Sequence, residues 1–153
     1  MSMMDEYNAF RVKLDAAIDL TLQAEVEKEL TLGILASVGE NVYGAYSPES
    51  YKRRFSEGGL FDEENYKSWT EKSGDIYTLN IKNETKGNAA YSRSKDGYDP
   101  GYITDIIETG QGYRWKRSEI YRTKQPRPFM EESFGFAQNL EQTLINGINQ
   151  RMK

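Results

Sequence analysis

The sequence contains no cysteine and no histidine. Without cysteine the chain can form no disulfide and offers no thiolate for catalysis or metal binding. Without histidine it lacks the commonest general base and the commonest metal ligand. Catalysis would have to use carboxylates, lysine, tyrosine or serine, and no pair of acidic residues is spaced to converge on one bond. We therefore expect a protein that is not an enzyme and that uses no cofactor or metal.

Long apolar runs are also absent. No stretch approaches the roughly 20 apolar residues that span a membrane. The opening sequence MSMMDEYNAF has neither the basic region nor the apolar core of a signal peptide. We therefore expect no membrane contact and a protein that is assembled in the cytoplasm of a cell. The length of 153 residues fits a single domain over residues 1–153.

The first part of the chain has a clear helical pattern. Apolar residues recur at every fourth position, while the opposite face carries mostly acidic residues. This pattern predicts a long amphipathic helix over residues 1–40 whose apolar stripe faces a core. An alternative is a helix that also packs against neighbouring subunits. The stripe consists of Phe10, Leu14, Ile18, Leu22, Val26, Leu30 and Ile34.

Residues 42–75 contain glycines, a proline and a basic cluster that includes Arg53 and Arg54, which predicts a basic loop region. Strands and an arm are expected over residues 76–126, because DIYTLNIKNE alternates between apolar and polar side chains. Gly110 is expected to stop a short helix as a residue just past its end.

A C-terminal helix is predicted over residues 127–150. Pro126 and Pro128 restrict their own backbone and that of their neighbours, which favours an extended entry into this helix. Pro128 suits the first helical turn, and Phe129 is expected to enter the core as the helix begins.

A basic and aromatic segment, GQGYRWKRSEIYRTKQPRPFM, spans residues 110–130 of a chain whose net charge is -4. Three interpretations are open: a hairpin arm with solvated charges, a surface that docks on another protein, and a nucleic-acid contact through phosphates and stacked bases. The candidate interface residues here are Tyr113, Arg114, Trp115, Lys116, Arg117, Arg122, Lys124 and Arg127.

Several motifs occur in the order seen in one known family. GGLFDEEN lies at residues 58–65, DIIETGQG at residues 105–112 and QPRPFMEES at residues 125–133. This order resembles the tail-completion or neck proteins of long-tailed bacteriophages, whose members show a TG.L..S loop, a Y...VE.GT turn and a P.PFL.PA helix entry. The chain departs from that pattern with EGGL in place of TG.L and with an acidic first helix.

The resemblance implies a structural virion protein that completes the tail or joins it to the head. Such a protein would form a ring of its own copies around the DNA channel and contact neighbouring head-closure and tail proteins. The fold expected is α+β, a small and mostly antiparallel sheet packed with the first and last helices. An alternative from another class is a small phage-encoded regulatory module that binds nucleic acid or a host protein.

Overall fold

A long first helix forms the spine of the computed structural model, which describes residues 2–45, 47, 52–87, 101–112 and 122–153. The helix begins at Met3 and ends at Tyr43, which confirms the predicted long helix. It has two α-helical stretches, each followed by a wider π-helical turn. In chain order these stretches are Met3–Thr21, Leu22–Val26, Glu27–Ser37 and Val38–Tyr43.

The π-helical turns explain how a strict four-residue repeat stays on one face. A repeat of four drifts around an α-helix, which has 3.6 residues per turn. A turn closed by hydrogen bonds between residues five apart holds more residues and takes up this drift. The backbone N–H of Gly44 donates such a bond to the carbonyl oxygen of Gly39 at 2.8 Å. The resulting buried positions, four residues apart, are Leu22, Val26, Leu30, Ile34, Val38 and Val42.

The sheet is a two-stranded antiparallel hairpin formed by β1, Tyr66–Ser73, and β2, Ile76–Asn83. Gly74 and Asp75 make the turn, and Gly74 has a backbone φ of +61°. The predicted strand in residues 76–83 is confirmed, as is the α+β class. The prediction that residues 42–75 form a loop is wrong over β1. That strand buries only Tyr66 fully, so its sequence shows no alternation of apolar and polar residues.

Polar side chains dock the hairpin along the first helix. They occupy every fourth helical position, so they form one face. Arg11 pairs with Asp75, and the carboxylate of Asp15 accepts hydrogen bonds from Lys72 and Tyr77. Two further contacts lead to Thr70 on β1. The hydroxyl of Thr70 donates a hydrogen bond to the carboxylate of Asp19. The side-chain amide of Gln23 in turn donates to the hydroxyl oxygen of Thr70 at 3.0 Å.

The chain after the hairpin returns through a short helix, Thr104–Thr109, to the last part of the fold. The side chain of Asn83 connects the end of β2 to the start of the short helix. Its Oδ1 accepts hydrogen bonds from the backbone N–H of Thr85 at 3.1 Å and from the hydroxyl of Thr104 at 2.8 Å. Lys86 and Tyr102 add an antiparallel bridge.

The last helix is shorter than predicted. In place of one helix over residues 127–150, the structure has turns at residues 129–132, a single helical turn Ser133–Phe136, and then the helix Leu140–Met152. The break follows from the packing. Ala137 has an extended backbone and lies directly against Gly33 of the first helix, and Asn139 has a φ of +65°.

The core lies where these elements meet the carboxyl-terminal half of the first helix. Its centre is Phe129, which is fully buried. The other buried members of this core are Leu30, Ile34, Val38, Val42, Leu60, Tyr66 and Ile107.

Among the described residues, no helix is long and apolar enough to cross a membrane.

Substitution of Gly33 tests the close approach of the first helix to the chain around Ala137. A Cβ at this position would lie 2.7 Å from the Cβ and 2.8 Å from the backbone nitrogen of Ala137. We expect Gly33→Ala to lower the free energy of unfolding by about 1–3 kcal/mol through overpacking, although alanine is the better helix former. Urea unfolding followed by circular dichroism measures this loss.

Gly135→Ala is the matched control, because no atom lies within 4 Å of its added Cβ. It should leave the free energy of unfolding unchanged or raise it by at most about 1 kcal/mol. Equal losses in the two variants would contradict the close-approach argument.

Candidate interaction surfaces

The PRPF motif joins the short helix to the core. The backbone N–H of Arg127 donates to the carbonyl oxygen of Ile107 at 2.9 Å, and the backbone N–H of Met130 donates to Oε1 of Glu108 at 2.6 Å. These bonds bracket Phe129, whose burial confirms the predicted entry into the core. Pro126 is exposed and Pro128 half-buried, so the prolines shape the backbone while Phe129 provides the packing.

Gly110 ends the short helix as predicted, with a left-handed backbone at φ +67°. Space also requires glycine here, because a Cβ would lie 2.5 Å from the carbonyl oxygen of Lys124. Gly110 therefore lets the end of the short helix lie in close contact with the backbone of Lys124.

Glu108 is the titratable group of this joint. Burial raises the pKa of its carboxyl group, while the hydrogen bond from Met130 opposes that shift. The nearby carboxylates of Glu131 and Glu132 raise the pKa further. Ionisation of Glu108 therefore lowers the free energy of unfolding relative to the protonated form.

The two arginines of the basic loop make contacts within the chain. The guanidinium of Arg53 donates to the carbonyl oxygen of Tyr43 at 2.8 Å and lies 4.9 Å from the centre of the Tyr43 ring. Arg54 donates to the carbonyl oxygen of Lys86. Both side chains are half-buried, so they attach the loop to the first helix and to the strand region; their predicted interface role stays a prediction.

Two tyrosines anchor the centre of this loop at Leu60. The hydroxyl of Tyr66 donates to the carbonyl oxygen of Leu60 at 2.8 Å, and the backbone N–H of Leu60 donates to the hydroxyl of Tyr43 at 3.2 Å. Burial raises the pKa of both phenols, so they remain protonated. Phe55 and Phe61 pack on Tyr43 at ring-centre distances of 4.9 and 4.6 Å.

The basic and aromatic segment is described only at its end. Tyr113, Arg114, Trp115, Lys116 and Arg117 lie outside the described residues. Beyond them, Arg122 and Lys124 are exposed, as an interface would require, whereas Arg127 is only 4% exposed and lies inside the chain. The interface role predicted for Arg127 stays a prediction; within this chain its backbone N–H donates to the carbonyl oxygen of Ile107 and its side chain is buried.

An open cleft of about 370 Å³ lies beside the basic loop. Its charged lining residues are Arg54, Lys67 and Lys86 together with Glu64 and Glu84. This mixture of signs does not favour a polyanion. The described residues also contain no group of three or more acidic side chains able to hold a metal ion.

The amino-terminal extension, residues 3–13 of the first helix, is an exposed surface whose position the sequence did not indicate. Every residue in it is exposed, including Met3 at 87%, Tyr7 at 53% and Phe10 at 57%. The predicted burial of Phe10 is therefore wrong. The last helix ends beside this extension: the ammonium group of Lys13 donates to the carbonyl oxygen of Met152 at 3.0 Å.

The comparisons with known proteins identify a family. A model of the YomN family matches residues 6–153. The SPbeta prophage-derived uncharacterized protein YomN of Bacillus subtilis (strain 168) is 34% identical over 108 residues, which cover 71% of this chain and 58% of that protein. The chain thus aligns with less than two thirds of the length of this relative. No solved structure matches the chain.

Gly110 should be more sensitive to substitution than another glycine with a similar backbone. Gly110→Ala combines an unfavourable left-handed residue, which costs roughly 1–2 kcal/mol, with a backbone clash of about 1–3 kcal/mol. Gly74→Ala has a similar φ of +61° but no atom within 4 Å, so only the first cost applies. Urea unfolding of both variants measures the difference; equal destabilisation would show that the contact with Lys124 is unimportant.

Glu108→Gln should change how stability depends on pH. Because the folded-state pKa of Glu108 is raised above its ordinary value of 4.5, the native chain binds more protons than the unfolded chain within that window. This group therefore makes stability fall as pH rises from about 4.5 through the raised pKa. Glutamine keeps an acceptor for the Met130 N–H and removes this contribution.

Thermal unfolding of both proteins between pH 4 and pH 8 tests this expectation. The melting temperature of Glu108→Gln relative to the native chain should increase toward pH 8. Glu57→Gln, at an exposed position of the basic loop region, is the control and should show no such trend. Parallel profiles for Glu108→Gln and the native chain would contradict the pKa assignment.

Proposed function

The chain belongs to the YomN family, and from this premise we propose that it is a structural protein of a bacteriophage particle that completes the tail or joins it to the head. The family match and the prophage-derived relative indicate a phage-associated protein. The order of the GGLF, ETGQG and PRPF motifs supports the finer assignment. The protein would be assembled in the host cytoplasm and would finally be located in the virion.

The observation that carries this proposal is the exposed apolar surface of the amino-terminal extension. A helix with three turns of uncovered apolar side chains typically binds another protein. A nucleic-acid-binding helix would present mainly cations to the phosphates. The extension instead carries Asp5 and Glu6 as well as Arg11 and Lys13, which suits a protein partner.

In the proposed ring, unlike surfaces of neighbouring copies meet around the DNA channel. The basic and aromatic segment supplies one surface, with Arg122 and Lys124 exposed at its end. The acidic first helix supplies less of the other than its sequence suggests, because Asp15 and Asp19 already bind the hairpin of their own chain. Glu131 and Glu132 are exposed and offer an alternative acidic set for a neighbour's arm.

Electron microscopy of a phage that lacks this gene tests the function directly. We expect filled heads lying apart from finished or aberrant tails in negative stain, and restoration of joined particles when the gene is supplied in trans. Normal infectious particles without the gene would overturn the proposal. In that case, DNA binding measured at two salt concentrations would test the regulatory alternative, since phosphate contacts weaken steeply with salt.

Charge reversal in the basic and aromatic segment tests the ring contact. Arg114→Glu combined with Lys116→Glu should prevent incorporation of the protein into particles, because like charges would then face each other across the subunit contact. The control is Lys28→Glu combined with Lys67→Glu, two exposed lysines elsewhere in the chain with the same change in net charge. Normal incorporation of the first variant would exclude the segment from the ring contact.

A further inference from the structure

The apolar face of the amino-terminal extension continues a seam that is already packed further along the same helix. Residues spaced alternately by four and three positions fall on one side of an α-helix, as in a coiled coil. In this chain the seam comprises Met3, Tyr7, Phe10, Leu14, Ala17 and Thr21. One helix face therefore runs from the exposed extension into the folded body.

The last helix covers only the inner half of this seam. Thr21 lies against Gly147 so closely that a Cβ on the glycine would be 2.3 Å from Cγ2 of the threonine. Further out, the last helix ends where Met152 accepts a hydrogen bond from Lys13. Ala17 and Thr21 are buried as a result, whereas Met3, Tyr7 and Phe10 are more than half exposed. The uncovered part of the seam is three turns long.

The extension is held as a helix by its own first turn. The hydroxyl oxygen of Ser2 accepts from the backbone N–H of Asp5 at 3.2 Å, and the carboxylate of Asp5 accepts from the backbone N–H of Ser2 at 2.9 Å. This reciprocal capping box satisfies two backbone donors that a helix start leaves open. The hydrogen bonds from Ser2 also lower the pKa of Asp5, so the cap persists to acidic pH. A preformed helix loses little conformational entropy when it binds.

We propose that the uncovered seam binds the same seam of a second copy of this chain in an antiparallel helix pair. Residues 3–14 of the two copies would align about a two-fold axis near residues 8 and 9. Tyr7 of each copy would then pack against Phe10 of the other, and Met3 against Leu14. The contact is self-complementary, as a two-fold interface requires.

The position of the last helix favours the antiparallel direction. In a parallel pair, the partner's first helix would continue alongside Ala17 and Thr21, where the last helix already lies. In an antiparallel pair, the partner's helix begins where the last helix ends and runs in the same direction. The amino-terminal end of one helix then follows the carboxyl-terminal end of another, an arrangement that the helix dipoles favour.

The charges beside the seam agree with this arrangement. Glu6 and Lys13 flank the seam on the same side and are seven residues apart, so they occupy equivalent coiled-coil positions. In an antiparallel pair, such positions of the two helices face each other. Glu6 of each copy would thus approach Lys13 of the other, which gives two opposite-charge contacts related by the two-fold axis.

A contact of three helical turns is small, so the pair should be weak and dependent on protein concentration. It is also closed, since the two-fold axis uses the extension of both copies. The inference does not rest on the proposed virion role: it concerns the free protein in solution, and the microscopy of mutant phage tests the other proposal separately.

Sedimentation equilibrium of the full chain over a wide concentration range tests the pair. The native protein should shift from monomer to dimer with rising concentration, and Phe10→Asp should weaken this association on the order of 100-fold, because two buried rings are lost per dimer. Leu32→Asp is the control: Leu32 is 51% exposed on the same long helix but lies outside the seam. It should dimerise like the native chain. A native protein that stays monomeric throughout would overturn the proposal.

Charge exchange tests the alignment. Glu6→Lys and Lys13→Glu should each weaken the dimer roughly threefold to tenfold. The double variant should dimerise more tightly than either single variant because the opposite charges are restored, even though the hydrogen bond from Lys13 to Met152 is lost. Additive weakening in the double variant would exclude the antiparallel alignment.

Single-cysteine variants fix the direction, because the chain has no cysteine of its own. A mixture of Tyr7→Cys with Phe10→Cys should form disulfide-linked heterodimers under mild oxidation, in clear excess over homodimers of either variant. Homodimers of Tyr7→Cys as the main product would indicate a parallel pair and overturn the proposal. The oxidant converts two thiols into one disulfide and takes up their two electrons and two protons.

Discussion

The close approach of the last part of the chain to the first helix determines much of this structure. At two places a glycine allows a close contact: Gly33 of the first helix lies against Ala137, just before the last helix, and Gly147 of the last helix lies against Thr21. A larger residue at either place would force the elements apart, and burial of apolar surface would be lost between them. The two contacts set how the last helix lies along the first, and the hydrogen bond from Lys13 to the carbonyl oxygen of Met152 marks where it ends. The exposure of the amino-terminal extension follows from that end point.

The four-residue repeat of the first helix shows what a periodic pattern can and cannot predict. It identified the helix and most of its buried positions from Leu22 onward, because a core covers that stretch. Phe10 belongs to the same repeat but is exposed. A repeat records that a face is apolar and does not record whether the chain itself supplies the covering element. The sequence therefore could not separate a core-facing stretch from an intermolecular one.

The other differences have equally local causes. The first strand was missed because seven of its eight residues are not fully buried and its outer face is polar. The pair Gly74 and Asp75 before the predicted strand is a two-residue turn signal that could have indicated a hairpin. The last helix was predicted too long because its apolar residues continue across the break at Ala137. That break is imposed by the contact with Gly33, which no local pattern contains.

Gly110 and Phe129 were predicted correctly for the opposite reason. The backbone conformation of a helix-ending glycine and the entry of an aromatic residue after a proline are both set by neighbours in sequence. Local chemistry thus identified the joint between the short helix and the core. The hydrogen bond from Met130 to Glu108 that completes this joint links residues 22 positions apart and required the structure.

Several charged residues that the sequence offers for partners make contacts within the chain instead. Arg53 and Arg54 bond to backbone carbonyl oxygens of their own chain, and Arg127 is buried. On the acidic side, Asp15 and Asp19 bind the hairpin. Many charges that appear available in the sequence are therefore used to dock one element on another. Affinity for nucleic acid depends on how many cations remain to neutralise phosphates, and among the described residues this internal use reduces that number. Recognition of proteins, as proposed above, needs only apolar area and a few placed charges.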